Sequence, residues 1–244
     1  LGSAIGMDKA IQKRLLAAAG VPVVEFGAVR RRDYERDPRS VIALARQLGY
    51  PVFIKPNALG SSIGMTRVTA EEALYGALDH AFRYDRTALI EAACEGREFE
   101  CSVLGNDEPQ ASLPGEIIVS SRHDFYSYDS KYLDDQGARY AIPADLPAPV
   151  AERIQALSRA AFQALGLRGM ARVDFLASAD LGRLVVGEVN TIPGFTSISM
   201  YPKLWEVSGL PLARLLDRLI ELALEEHRER QRLEVNYLPI GSRG

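Results

Sequence analysis

Hydrophobic positions along the chain change period several times, and each change marks an element. In GMDKAIQKRLLAAAG, Ile11, Leu15, Leu16 and Ala19 recur at helical spacing and Gly20 stops the run. VPVVEF is short and β-branched, and reads as a strand. RRRDYERDP reads as a solvated charge run. Pro38 opens a second helix, RSVIALARQLG, which ends at Gly49. YPVFIKP is a buried strand ending at Lys55. NALGSSIG is then a glycine–serine loop and MTRV a returning strand. TAEEALYGALDHAF is a helix, with Thr69 and Glu72 at capping-box distance.

ALIEAA is a further strand. REFECSVLG alternates apolar and polar residues and reads as a half-buried strand, and ASLPGEIIVS adds β-structure. Residues 121–145 have no period and are rich in Tyr, Asp and Ser. They read as a long exposed loop, a feature that in compact domains is usually functional. APVAERIQALSRAAFQALG is a strongly amphipathic helix. ARVDFLA and LVVGEV are strands joined by the turn SADLG. Helices around Tyr201–Val207 and Pro211–Arg230 follow, and residues 231–244 form a loosely held tail. Helices and strands alternate in the first half, and the second half is more antiparallel. The pattern predicts an α+β fold of two lobes meeting at a cleft, with a boundary near Glu91–Gly96. Residues 1–91 form the first lobe and 92–230 the second.

Composition narrows this only a little. With 244 residues, 47% of them hydrophobic, the chain can build a substantial core. Its 29 basic and 32 acidic residues nearly balance, which argues against bulk nucleic-acid binding. No apolar run is long enough to span a membrane, and a cytoplasmic setting is expected. Cys94 and Cys101 match neither a zinc spacing nor a redox pair, so they read as reduced and incidental. The start at Leu1 rather than Met is expected of a piece of a longer protein.

The densest chemistry lies in GEVNTIPGFTSISM, residues 187–200. Glu188 and Asn190 are two apart on a strand and leave the same face. Two oxygen donors on one face suit a hard cation such as Mg²⁺. If ARVDFLA pairs antiparallel with this strand, Asp174 lies beside them, with Arg172 on its face. A hairpin with a few charged residues toward solvent is the plain alternative, but Asp, Glu and Asn are depleted from strands and here three converge.

Lys55 ends a strand and precedes GSSIG, whose backbone N–H groups can approach an anion. There is no GK[ST], so this is not a Walker A loop, and a plain hairpin turn explains it equally well alone. Lys9 by itself reads as a surface lysine. Glu91 and Glu98 flank the turn at Gly96, positioned to meet a ribose or an exocyclic amine, or to face solvent.

Taken together, FIKPNALGSSIGM, GREFE, FYSYDSKY, ARVDF and GEVNTIPGFTSISMYP, in this order and spacing, resemble the D-alanine–D-alanine ligases of the ATP-grasp superfamily. The resemblance covers about nine-tenths of the chain. It implies an ATP-grasp fold and the ATP-dependent joining of two D-alanine molecules through an acyl-phosphate, for peptidoglycan precursors. It implies that Lys9 and Lys55 bind ATP phosphates. Glu91, Ala93 and Cys94 would line the adenine, with Glu98 on the ribose. Asp174, Glu188 and Asn190 would hold two Mg²⁺ ions, with Mn²⁺ able to substitute. Arg172 and the Gly194 N–H would face the oxyanion, and Lys131 the transferring phosphate. Ser199 and the Met200 backbone would receive the carboxylate of the second D-alanine. Ser61 and Tyr132 would link the glycine–serine loop to the long loop, which closes as a lid. A homodimer of the full-length protein is implied as well.

Two departures stand out. Ser127 occupies a place where the family often has Asp, and Ala92 one where several members have lysine. The family also carries an N-terminal domain before GMDK that supplies a glutamate for the first D-alanine, and this chain is expected to lack it. Two other readings therefore stay open: another ATP-grasp carboxylate–amine ligase, or an ATP-binding fragment without turnover.

Overall fold

The computed structural model describes residues 1–120, 137–196 and 198–234. Two antiparallel sheets organise it. The smaller has four strands in the order β1–β4–β2–β3: β1 is Phe26–Arg30, β2 Val52–Pro56, β3 Thr66–Val68 and β4 Thr87–Ala92. The larger runs β10–β9–β5–β7–β8, with β6 beside β5. Its strands are β5 Gly96–Gly105, β6 Gln110–Ala111, β7 Gly115–Val119, β8 Ala138–Ala141, β9 Gly169–Ser178 and β10 Leu184–Asn190. The helices are α1 Gly2–Met7, α2 Lys9–Ala18, α3 Arg31–Arg36, α4 Ser40–Leu48, α5 Leu74–Phe82, α6 Ala148–Ala164, α7 Met200–Val207 and α8 Leu212–Gln231.

Each sheet has its own core. Val41 and Ala45 of α4 and Leu74, Leu78 and Phe82 of α5 cover the small sheet at Val52, Ile54 and Ile90. Ile154, Ala161 and Phe162 of α6 cover the large sheet at Phe99, Cys101, Val173 and Phe175. Tyr201, Trp205, Leu215 and Leu222 of α7 and α8 form a third cluster with Leu104. The core clusters cut across the expected boundary at residue 91, because Leu16 of α2 and Val21 join the large-sheet core.

Several local expectations are corrected. VPVVEF is not a strand: the strand begins at Phe26, and Val23 makes only an isolated bridge to Val186. The charge run forms the helix α3, which buries no residue and rests against β1. Thr69 does not cap a helix; a 3₁₀ turn at Glu71–Ala73 leads into α5 with no side-chain cap bond. β5 is buried on both faces from Phe99 to Gly105 rather than half-buried. Its polar positions point not to solvent but to the cleft and to α7, where Ser102 donates to the Tyr201 carbonyl at 3.2 Å. Of the expected loop 121–145, residues 138–141 are the strand β8, and 121–136 lie outside the described residues.

Candidate active site

The site forms where β9 and β10 meet the cleft, and a bulge decides which side chains reach it. Leu184 and Val186 of β10 lie in the core. Strict alternation would send residue 188 the same way, since side chains repeat every second residue. Instead the register slips at Gly187: Val186 pairs with Phe175, but Glu188 pairs with Asp174 and Asn190 with Arg172. The extra residue of a bulge reverses the faces beyond it. Val189 thereby enters the core, and Glu188 and Asn190 turn to the cleft.

The next strand extends the row, for Glu100 of β5 stands opposite Asp174. Three carboxylates, Glu100, Asp174 and Glu188, thus lie abreast, an arrangement that is unfavourable unless cations intervene. Arg172 supplies one. Its Nε and Nη2 donate to Asp174 Oδ1 and Oδ2 at 2.7 and 2.8 Å, and Nε lies 3.1 Å from Glu100. Burial opposes the charge on Arg172, but Asp174 and Glu100 outweigh it and hold the pKa above the ordinary arginine value. Asn190 donates from Nδ2 to Asp174 Oδ2 at 2.8 Å.

Helix α2 brings the second cation. Asp8 caps it by accepting from the Ile11 N–H at 2.9 Å. Asn57, just after β2, ties down its first turn by accepting from the Ala10 N–H at 2.9 Å. Lys9 is therefore not a surface lysine. Its Nζ donates to the Leu59 carbonyl at 2.6 Å and lies 3.4 Å from Glu188. Lys55, at the end of β2, pairs with Glu91 at 2.9 Å, and Glu91 also pairs with the fully buried Lys13 at 3.3 Å. Burial pulls Lys13 down to about 8, against the Glu91 carboxylate that pulls it up. Burial would lower Lys55 too, but Glu91 and Glu188 raise it above the ordinary lysine value.

A cleft of about 780 Å³ gathers these groups. Lys9, Lys55, Ser61, Glu91, Cys94, Glu98, Arg172, Asp174, Glu188, Asn190 and Gly194 all line it. Ser61 and Ser62 both take positive φ, 54° and 56°, a strained conformation for residues with a Cβ, and such strain clusters at ligand clamps. Ala93 does not line this cleft; its N–H donates to the Pro51 carbonyl at 3.1 Å, and it borders a second depression with Val24 and Tyr50. Ser199 accepts from the Thr196 N–H at 3.0 Å and lies beside Gly194, where an added Cβ would meet its Oγ at 2.8 Å. Met200 begins α7, whose first backbone N–H groups have no intrahelical acceptor. Lys131 and Tyr132 lie outside the described residues.

No three His, Cys, Asp or Glu side chains among the described residues cluster closely enough to hold an ion unaided. Two carboxylates and a carboxamide do converge. That donor set fits Mg²⁺, which takes one or two carboxylates and completes its shell with water and substrate phosphates.

Two antiparallel sheets around such a cleft, with helices on their outer faces, make this an ATP-grasp fold. The family model "D-ala D-ala ligase C-terminus" matches residues 15–221, and the chain belongs to the D-alanine–D-alanine ligase family. It is 50% identical over 228 residues to D-alanine–D-alanine ligase A of Chromobacterium violaceum, covering 93% of this chain and 61% of that protein. It is also 50% identical over 232 residues to the D-alanine–D-alanine ligase of a Thermoanaerobacter species, covering 95% and 64%. Among solved structures, the D-alanine–D-alanine ligase of Coxiella burnetii matches with a TM-score of 0.80 at 40% identity, over 94% of this chain and 60% of that one. The VanG D-Ala:D-Ser ligase of Enterococcus faecalis matches with a TM-score of 0.81 at 37% identity, over 91% and 63%. The chain thus spans between 60% and 64% of the length of these four relatives.

Proposed function

We propose that this chain is the nucleotide-binding and metal-binding part of an ADP-forming ligase that joins two D-alanine molecules. The observation that carries the reading is the Glu188–Asp174 pair, with Asn190 beside it, facing a cleft bordered by Lys9 and Lys55.

The chain's own residues divide the work by charge. A carboxylate at neutral pH repels a triphosphate, so cations must offset both. Lys9 and Lys55 meet phosphate oxygens at the mouth of the glycine–serine loop. Asp174, Glu188 and the amide oxygen of Asn190 would hold the two divalent ions. Such ions polarise phosphoryl oxygens and neutralise developing charge when bound. Arg172 and the Gly194 N–H face the oxyanion that forms when the amine of the second amino acid attacks the phosphorylated carboxyl of the first. Ser199 and the backbone at Met200 take the carboxylate of that second amino acid. Lys131 neutralises the transferring phosphoryl group, and Ser61 and Tyr132 act together to exclude water.

At the nucleotide end, Cys94, which follows β4 and borders the cleft, lines the adenine, and Glu98 faces the ribose. Glu91 has its carboxylate engaged by Lys13 and Lys55. Its role here is to order those lysines rather than to offer the adenine a free acceptor. The full-length protein is a cytoplasmic homodimer in this reading. No helix of the described residues is long and apolar enough to cross a membrane.

ADP release with D-alanine, with D-serine and with no amino acid tests the reading. D-alanine-dependent ADP with D-alanyl-D-alanine supports it. Stimulation only when D-serine accompanies D-alanine reassigns the second substrate. Nucleotide binding with no turnover under any condition reduces the chain to a binding fragment.

A further inference from the structure

Helix α2 buries the wrong residues for an ordinary amphipathic helix. Its apolar Ile11 and Leu15 are 45% and 38% exposed, while Lys9, Gln12 and Lys13 are 8%, 1% and 0% exposed. The spacing i, i+3, i+4 puts these three on one stripe. That stripe lies against the outer edge of β10, the terminal strand of the large sheet.

A terminal strand presents backbone groups that no neighbouring strand satisfies. Along β10 they are taken up one by one. The Val186 N–H donates to the Pro22 carbonyl at 2.8 Å. Lys13 Nζ donates to the Gly187 carbonyl at 2.7 Å. The Gln12 carboxamide accepts from the Val189 N–H at 2.8 Å and donates to the Val189 carbonyl at 2.9 Å, as a neighbouring peptide group would. The residues on either side of Glu188 are therefore fixed by two consecutive side chains of α2. One of those residues is Gly187, where the register slips. A bulge at glycine has little side-chain packing to hold it, and a shift there would swing Glu188 away from the cleft.

We propose that Gln12 and Lys13 are positioning residues that lock the Gly187 bulge and so aim the Glu188 carboxylate at a divalent ion. The proposal rests on the metal-site reading above. Neither residue need touch ion or nucleotide. If stability alone were required, a leucine or methionine stripe covering the edge from α2 would serve the core, but it would leave the bulge carbonyl and both Val189 groups without partners.

ATP affinity is measured by calorimetry on the full chain, with and without Mn²⁺, for wild type, Gln12→Ala and the near-isosteric Gln12→Glu. Gln12→Glu keeps the acceptor for the Val189 N–H but loses the donor to its carbonyl, so it serves should Gln12→Ala fail to fold. Wild type binds ATP more tightly with Mn²⁺. Each folded Gln12 variant loses about tenfold of that Mn²⁺-dependent gain, the usual effect of removing a group that orients a metal ligand. Affinity for metal-free ATP, held through Lys9 and Lys55, is unchanged. Variants that keep the whole Mn²⁺ gain overturn the proposal, as do variants that lose both affinities in equal proportion. A wild type whose ATP affinity ignores Mn²⁺ overturns the metal reading and this proposal with it. That outcome is told apart because it appears before any substitution is made.

Discussion

Arg172 grips Asp174 with both arms of its guanidinium, at 2.7 and 2.8 Å, although the two side chains leave the same strand only two residues apart. The same nitrogen that meets Asp174 Oδ1 stands 3.1 Å from Glu100. One planar cation thus separates two carboxylates of the acidic row at the wall of the cleft. A lysine cannot do this, because a point charge has no fork. Arg172→Lys is expected to lower D-alanine-dependent ADP release at least about tenfold, or ~1.4 kcal/mol in the barrier, with the circular dichroism spectrum unchanged. An unaltered rate would remove Arg172 from the oxyanion role.

Glu91 links acid stability to the same site. Burial pushes its carboxyl up, but the ammonium groups of Lys13 and Lys55 outweigh that and hold it below its ordinary value. A lowered folded value gives stability that is present above the unfolded value of about 4.3 and is lost as pH falls through the folded one. Glu91→Gln leaves Lys13 buried without its counter-ion and is expected to cost about 3–5 kcal/mol near neutral pH. The gap from wild type should narrow as the pH drops below the ordinary carboxylate range. Urea denaturation across that range checks it, and a gap that stays constant would contradict the pairing.

Gly96 opens β5 at φ +151°, and an added Cβ would lie 2.2 Å from the Ala177 carbonyl oxygen. Neither the backbone conformation nor the space admits a side chain. Gly96→Ala is expected to destabilise the fold by about 2–3 kcal/mol. Thermal unfolding reads this directly, and a variant as stable as wild type would show that the β5–β9 approach is softer than described.

The two cysteines should separate cleanly. Burial pushes the Cys101 thiol up to about 11, whereas Cys94 is half-buried and borders the cleft. A disulfide reagent at about pH 8 should label Cys94 in the folded chain and Cys101 only after unfolding, since the thiolate is the reactive form. ATP should slow the labelling of Cys94. Equal labelling of both thiols, or no effect of ATP, would move the nucleotide away from β4.

Much of this site could be read from the sequence because it is local. Glu188 and Asn190 sit two apart, Arg172 and Asp174 sit two apart, and one turn joins their strands. The hairpin then pairs Glu188 with Asp174. The Gly187 bulge was not legible, since LVVGEVN reads equally well as an uninterrupted strand. Lys13, Gln12 and Glu100 escaped for a related reason. Helical spacing suggested that Ile11 and Leu15 face inward, but α2 covers a strand edge with polar needs, so its polar stripe is the buried one. In β5 the alternating Glu98 and Glu100 look solvent-facing, but that face turns to the cleft and, further along, to α7. The strand at Phe26–Arg30 was misplaced by a few residues, because the β-branched VPVV preceding it carries the stronger local propensity.

The central claim is that Glu188 holds a divalent ion against a nucleotide. Titrating ATP into wild type and Glu188→Gln, each with and without Mg²⁺, tests it most directly. The wild-type chain should bind ATP more tightly with Mg²⁺, and Glu188→Gln should lose at least about tenfold of that gain while its metal-free affinity stays the same. An equal Mg²⁺ gain in both proteins would contradict it.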